Sequence, residues 1–199
     1  MLTRRALFRL LTVASVVSGL AVLPGRVEPV QAAPATALWD TLAAGGQVVL
    51  IRHAEAPGVG DPANFTLGDC STQRNLSAGG RAQSERLGET FRVHGVEVGQ
   101  VLSSEWCRCV DTATLAFGAV EPWPALNSFF RDASTDAAQT AEVRARVAAW
   151  TGPGTLVLVT HQVNITALTN IFPASGEIIV LTPMPERAAG FSIAGRAVP

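Results

Sequence analysis

The stretch Val48-Val49-Leu50-Ile51-Arg52-His53-Ala54-Glu55 constrains what this chain can fold into more than any other. Four aliphatic residues, mostly β-branched, run without polar alternation into an arginine and a histidine. Such a run is the pattern of a strand covered on both faces, the kind found in the middle of a parallel sheet. Arg52 and His53 then fall at its carboxyl end, the edge where open α/β sheets bind ligands. The arrangement recurs twice: Val101-Leu102-Ser103-Ser104 leads into Glu105-Trp106-Cys107-Arg108, and Thr155-Leu156-Val157-Leu158-Val159-Thr160 leads into His161. If the three strands are parallel, their polar ends converge on one site holding two histidines and two arginines.

The segments between these runs read as helices. Ala35 to Ala44 is a helix ended by Gly45-Gly46. Ser77 caps a helix from Ala78 to about His94, stopped by Gly95. Trp106 to Phe117 carries inward-spaced Val110, Ala113, Thr114 and Phe117, with Gly118 as its stop. Asp136-Ala137-Ala138-Gln139 has the form of a capping box opening a helix whose buried stripe is Val143, Val147 and Trp150. A last helix runs from about Val163 to Ile171. Pro122-Trp123-Pro124 reads as a loop or short edge strand. Glu177 to Leu181 and Gly190 to Ile193 read as late strands closing the sheet as a hairpin. Residues 56–75 hold Pro57, Gly58, Gly60, Pro62 and Gly68, a long loop placed to be a lid or wall of a site. Alternating strands and helices at this spacing predict an α/β fold, a three-layer α/β/α sandwich with a mostly parallel central sheet.

Residues 1–32 have the composition of an export signal: Arg4, Arg5 and Arg9 precede an uncharged, mostly apolar stretch from Leu10 to Leu23, and Val30-Gln31-Ala32 offers small residues for cleavage. Fourteen residues are too few for an ordinary membrane span. Thr3-Arg4-Arg5-Ala6-Leu7-Phe8 also resembles a twin-arginine signal. The expected organisation is therefore a leader at 1–32 and one domain at 33–199, lying in the periplasm or secreted, with no stable membrane span after cleavage. The leader holds four of the fifteen basic residues and one of the sixteen acids, so the remaining domain carries eleven arginines against fifteen acids, net −4. That balance gives no support to nucleic-acid binding.

Arginine presents a planar fork of donors matched to phosphate oxygens, so a cleft with two of them implies a phosphate-like ligand. Neutral histidine is a nucleophile that titrates near neutral pH. One histidine can attack phosphorus, while the other, if protonated, can hold developing charge. No metal and no cofactor is needed for that chemistry.

These residues carry a resemblance to the histidine phosphatase superfamily, the phosphoglycerate mutase-like fold. Leu50 to Glu55 resembles its arginine–histidine signature, with Ala54 where the family usually has glycine. Leu76-Ser77-Ala78-Gly79-Gly80-Arg81-Ala82-Gln83 is similar to its Leu-Ser-x-x-Gly-x-x-Gln helix start. Ser103 to Ala113 resembles its Ser-x-x-x-x-Arg-x-x-x-Thr-Ala block, and Val159-Thr160-His161 resembles the strand end bearing its second histidine. The blocks fall in the family's order across residues 48–170. The resemblance implies that His53 is the nucleophile, forming a phosphohistidine, and that Arg52, Arg108 and His161 bind the transferring phosphoryl group. Glu55, Arg74, Asn75 and Gln162 are further candidates for substrate contact. The leader together with Asp69 to Ser77 looks like small exported bacterial members, among them enzymes that dephosphorylate lipopolysaccharide heptose, so the resemblance makes a sugar phosphate or an envelope phosphate a candidate substrate.

The resemblance leaves the proton donor open. The acid-phosphatase branch has an aspartate directly after the second histidine, where this chain has Gln162. The mutase-like branch takes a glutamate from the segment after the second arginine, where this chain has Asp132 and Asp136. Asp136 is accounted for as a helix cap, so Asp132 is the expected acid and Glu55 the next candidate.

Three cysteines remain, Cys70, Cys107 and Cys109. Their spacing lacks the second pair of a zinc site. Outside the cytoplasm one disulfide and one free thiol are expected. Cys107 and Cys109 diverge by about 200° around a helix, so the bond joins Cys70 to one of them, with Cys109 the first choice. His94 reads as a helix-end cation, and Trp39, Trp123 and Trp150 as packing residues. The expected function is an exported, metal-independent phosphomonoesterase acting on a small phosphorylated substrate. The alternatives are a mutase or phosphohistidine phosphatase, and a non-catalytic phosphate-binding module on the same fold.

Overall fold

The aliphatic run becomes β1, Val48–Arg52, and it lies in the interior of a six-stranded sheet. The computed structural model describes residues 35–199, and the expected leader, 1–32, lies outside them. On one side β1 pairs in parallel with β4, Thr155–Thr160, and on the other antiparallel with β5, Ile178–Pro183. Beyond β4 come β2, Val98–Ser103, and the two-residue edge strand β3, Glu121–Pro122, both parallel. Beyond β5, β6, Phe191–Ala197, closes the sheet as the antiparallel arm of a hairpin. The order β3-β2-β4-β1-β5-β6 makes the sheet mostly parallel, as expected.

Alternate strand residues separate two apolar layers. Val49, Ile51, Val101, Val157, Val159 and Val180 face α1 (Ala35–Ala43), α2 (Ala78–Val93) and α3 (Cys107–Phe117), meeting Trp39, Leu42, Leu87, Phe91 and Ala113. Val48, Leu50, Leu156, Leu158, Ile179 and Leu181 face α4 (Asp136–Ala148) and α5 (Gln162–Thr169), meeting Val143, Val147, Trp150, Ile165 and Leu168. Helices on both faces explain why β1 and β4 lack polar alternation: both sides of each strand are removed from water.

Local signals act largely where the sequence places them. The Ser77 hydroxyl accepts from the Gly80 amide at 2.9 Å and starts α2. Gly95 and Gly118, with φ of 66° and 84°, follow the ends of α2 and α3. Gly80 is set by close approach: a Cβ there would stand 2.0 Å from the Glu55 carbonyl oxygen. One signal is overridden. Thr135, not Asp136, is the cap residue of α4, and Asp136 instead accepts from the Thr140 hydroxyl at 3.0 Å. Gln139 does not turn back to complete a capping box. Its amide donates to the carbonyls of Pro124, Ala125 and Asn127, tying α4 to the segment below the site.

The register aligns the strand ends. Arg52 lies opposite Thr160 and Ser103 opposite Val159. The His53 amide donates to the Thr160 carbonyl and the Ser104 amide to the Val159 carbonyl, each at 2.9 Å. The three polar strand ends are therefore neighbours at one edge of the sheet.

Candidate active site

At that edge a cavity of about 330 Å³ opens, with Arg52, His53, Arg108 and His161 in its wall. The β1 end supplies the first pair, the first turn of α3 supplies Arg108, and His161 is the cap residue of α5. The imidazole centroids of His53 and His161 are 5.5 Å apart, at 68°. α3 and α5 both begin here, so their N-terminal ends add favourable potential for an anion.

The two histidines are oriented differently. His53 Nδ1 is 2.8 Å from the Ala54 carbonyl oxygen. A carbonyl only accepts, so Nδ1 carries the hydrogen and Nε2 keeps its lone pair. Burial, followed by the nearby Arg108 charge, lowers the His53 pKa to about 3, so the ring is neutral at any physiological pH. His161 Nδ1 faces an Arg108 terminal nitrogen at 3.4 Å and its Nε2 faces the Ser104 hydroxyl at 2.8 Å. Guanidinium only donates, so His161 accepts at Nδ1 and donates from Nε2. The Ser104 hydroxyl passes its own hydrogen to Asn127 Oδ1 at 3.2 Å. Burial first, then electrostatic coupling to His53 and the Arg108 charge, holds His161 well below its ordinary pKa. The neutral form of His161 is therefore favoured, and the condition that it be protonated falls to what a bound anion can supply.

The arginines crowd one another and lack anionic partners, apart from Arg108. Arg52 donates to the Pro173 carbonyl at 2.9 Å, and its Nε is buried without a partner. Its pKa is lowered by burial and by Arg108. Arg74 also lines the cavity, donating through Nε to the Gly60 carbonyl at 2.7 Å and through Nη1 to that of Ala56. An added dianion would relieve both the desolvation and the mutual repulsion of these cations.

Asp61, which the sequence reading passed over, is the carboxylate in the cavity wall. Its Oδ1 accepts from Arg108 at 2.7 Å and its Oδ2 from the other terminal nitrogen at 3.2 Å. The Arg74 amide and Trp106 Nε1 bond the same carboxylate, each at 3.1 Å. Burial alone would raise the Asp61 carboxyl, but the hydrogen bonds from Arg108 and the Arg74 amide outweigh it and hold the group below the usual carboxylate range. The available signal was an acid set between glycine and proline in the loop already expected to form a wall.

Of the further candidates, Arg74 and Gln162 line the cavity. Glu55 does not: its carboxylate accepts from the Ser77 hydroxyl at the start of α2. The Asn75 amide turns to the Cys70 carbonyl at 2.6 Å, away from the cavity. Asp132 is exposed and caps a single 3-10 turn, accepting from the Ser134 amide at 2.9 Å. The structure does not bring it to the cavity.

The disulfide corrects the expected partner. Cys70 bonds Cys107, not Cys109. Cys107, on the first turn of α3, faces the 70–72 turn. Cys109, two positions on, points inward against the Thr160 carbonyl and His161, and burial pushes its thiol up to about 12. The bond ties the loop to the helix carrying Arg108. Among the described residues no group of three or more His, Cys, Asp or Glu is placed to hold a metal ion.

The model of the histidine phosphatase superfamily (branch 1) matches residues 48–152. The chain belongs to that superfamily and is a histidine phosphatase. No curated protein sequence matches it. Among solved structures it is similar to a protein assigned as phosphohistidine phosphatase SixA from Nakamurella multipartitia, with a TM-score of 0.53, 22% identity, and 77% of this chain and 95% of that one covered. It is also similar to a mycobacterial glucosyl-3-phosphoglycerate phosphatase, with a TM-score of 0.52, 17% identity, and 75% and 97% covered. For the Entamoeba histolytica phosphoserine phosphatase in complex with 3-phosphoglyceric acid the values are 0.52, 13%, 77% and 97%. At these identities the likeness is one of fold.

Proposed function

We propose that the protein is an exported phosphomonoesterase that works without a bound metal and passes through a phosphate ester of nitrogen at His53. The observation that carries this reading is the orientation of His53. Its Nδ1 is committed to the Ala54 carbonyl and its Nε2 lone pair is free, in a cavity also lined by Arg52, Arg74 and Arg108. Nε2 attacks phosphorus, the P–N bond forms and the P–O ester bond breaks with its electron pair on the leaving oxygen. Water then attacks the phosphohistidine, a P–O bond forms, P–N breaks, and inorganic phosphate leaves. Arg52, Arg108 and the start of α5 stabilise charge on the equatorial oxygens. The bound dianion also favours a proton on His161, reversing the repulsion that keeps it neutral. Asp61 is held ionised by Arg108, so the leaving oxygen draws its proton from water at the open mouth.

Export is supported by the basic-then-apolar pattern of residues 1–32 and by the Cys70–Cys107 bond, a type that persists in oxidising compartments. Among the described residues no helix is long and apolar enough to cross a membrane.

The test is a panel of phosphomonoesters assayed in EDTA, followed by labelling quenched in alkaline detergent, with part of the sample then treated with acid. Turnover should survive EDTA, and label should be acid-labile and map to His53. His53→Ala should lose on the order of 10⁴ or more in kcat. Binding of phosphate without turnover by the wild type would identify a binding module instead.

A further inference from the structure

The cavity has two ends of different chemistry. Its floor is cationic. Its mouth is apolar and comes from three separate segments. Among the described residues seven large apolar side chains stand exposed, and three of them, Val59, Phe130 and Phe172, line this one cavity, at 89%, 58% and 70% exposure. Phe130 comes within van der Waals reach of the Gly60 position across the opening. Between mouth and floor the Phe65 and Trp106 rings stack, with centroids 5.1 Å apart at 19°.

Each of the polar side chains at the same level makes at least one hydrogen bond to the protein. The Ser128 hydroxyl accepts from the Phe130 amide at 3.3 Å. Arg131 donates to the carbonyls of Asp61 and Pro62. Gln162 donates to the Thr166 hydroxyl at 2.9 Å. The Asp61 carboxylate is held by Arg108, the Arg74 amide and Trp106. A site that selects a polyol directs polar groups at its hydroxyls and rejects analogues lacking them. This mouth presents rings.

A second observation concerns the leaving group. An alkoxide needs a proton as it departs, a contribution typically worth roughly 10²–10⁴ in rate. The carboxylate in the cavity wall is ionised and saturated with donors, so it has no proton to give. A phenol, with a pKa of about 10, departs far more readily as its anion.

We infer that the mouth is a leaving-group subsite for an aromatic alcohol, and that the substrates are aryl phosphomonoesters rather than sugar or alkyl phosphates. The inference rests on the phosphatase reading for turnover, but not for binding. The ester phosphate sits on Arg52, Arg108 and the histidines. The ring lies between the Phe65–Trp106 stack and Phe130 and Phe172.

Non-hydrolysable phosphonates test the subsite without chemistry. By calorimetry, phenylphosphonate should bind roughly tenfold more tightly than methylphosphonate, the scale of a favourable aromatic contact. In the double variant Phe130→Ser, Phe172→Ser that ratio should fall towards one. A misfolded variant would weaken both ligands together and leave the ratio intact, so the ratio carries the test. Kinetics supply the second arm: kcat/KM for phenyl phosphate should exceed that for glucose 6-phosphate and for butyl phosphate. Equal binding of the two phosphonates by the wild type, a ratio unchanged in a double variant that binds methylphosphonate as tightly as the wild type does, or faster turnover of the sugar ester would each overturn the inference. Failure to label His53 would sink the phosphatase reading alone and leave the phosphonate ratio to decide this one.

Discussion

Asp61 and Arg108 form a two-pronged ion pair in which each carboxylate oxygen meets one terminal nitrogen, at 2.7 and 3.2 Å, with side chains only 8% and 3% exposed. The pair joins the long loop after β1 to the first turn of α3. It fixes the plane of the Arg108 fork and sets what that fork can offer a phosphoryl group. Asp61→Asn should lower kcat by about 10², the scale of a small misplacement of a charge-stabilising group. It should at the same time tighten binding of inorganic phosphate, because one negative charge leaves the cavity wall. A merely structural role would weaken both. Asp61→Ala should destabilise the fold by roughly 3–5 kcal/mol, since Arg108 is left buried without its partner, and urea titration reads this directly.

The titration behaviour of His53 gives a signed dependence of stability on pH. Its folded pKa is about 3, against about 6.5 in an unfolded chain. Between those values the unfolded state binds more protons, so stability rises with pH across this window. The His53 contribution is fully present above the unfolded value and is lost as pH falls towards the folded one, at up to about 1.4 kcal/mol per unit. His161 acts in the same direction. His53→Gln should flatten the dependence of urea midpoints on pH in that window. An unchanged slope in the variant would show that His53 is not buried as a neutral ring.

Asp61 and Glu177 act at lower pH. Burial opposes both carboxylates, but Arg108 and Arg196 respectively hold their pKa values down. Their stabilisation is present above the ordinary carboxylate pKa, about 4, and is lost as pH falls through the lower folded values. Glu177→Gln should remove part of the acid limb of stability, read as a flatter dependence of urea midpoints on pH below about 4.

Asp132→Asn should leave kcat and kcat/KM at wild-type levels for both nitrophenyl and alkyl phosphates, because Asp132 caps an exposed turn outside the cavity. A loss confined to the alkyl ester would restore it as the proton donor.

Non-reducing peptide mapping should recover Cys70 joined to Cys107 with Cys109 as the free thiol. Cys70→Ser should cost roughly 3–4 kcal/mol, from loop-closure entropy over a separation of 37 residues. A Cys70–Cys109 peptide would contradict the placement of α3.

Much of the scaffold was legible because its signals are local. The unbroken aliphatic runs of β1 and β4 reflect helices on both faces, and they end at Arg52 and at Thr160, each directly before a histidine. Ser77, Gly95 and Gly118 bounded helices because caps and stops act within a turn. The parallel sheet followed from alternation of strands and helices, and parallel strands deliver Arg52, His53, Arg108 and His161 to one edge. What the sequence could not contain was direction across long separations. Asp61 and Arg108 are 47 positions apart, and nothing in either neighbourhood names the other. Cys107 and Cys109 are alike in composition, and only the placement of α3 turns one towards Cys70 and the other towards His161. Gln139 carried a good local capping pattern, yet three carbonyls from residues 124–127 claimed its amide. The same cause puts Asp132 on the surface and Phe130 and Phe172 at the cavity mouth. Local chemistry determined the strand ends and the reactive groups on them. Packing between distant segments decided which carboxylate faces those groups and what kind of surface waits for the leaving group.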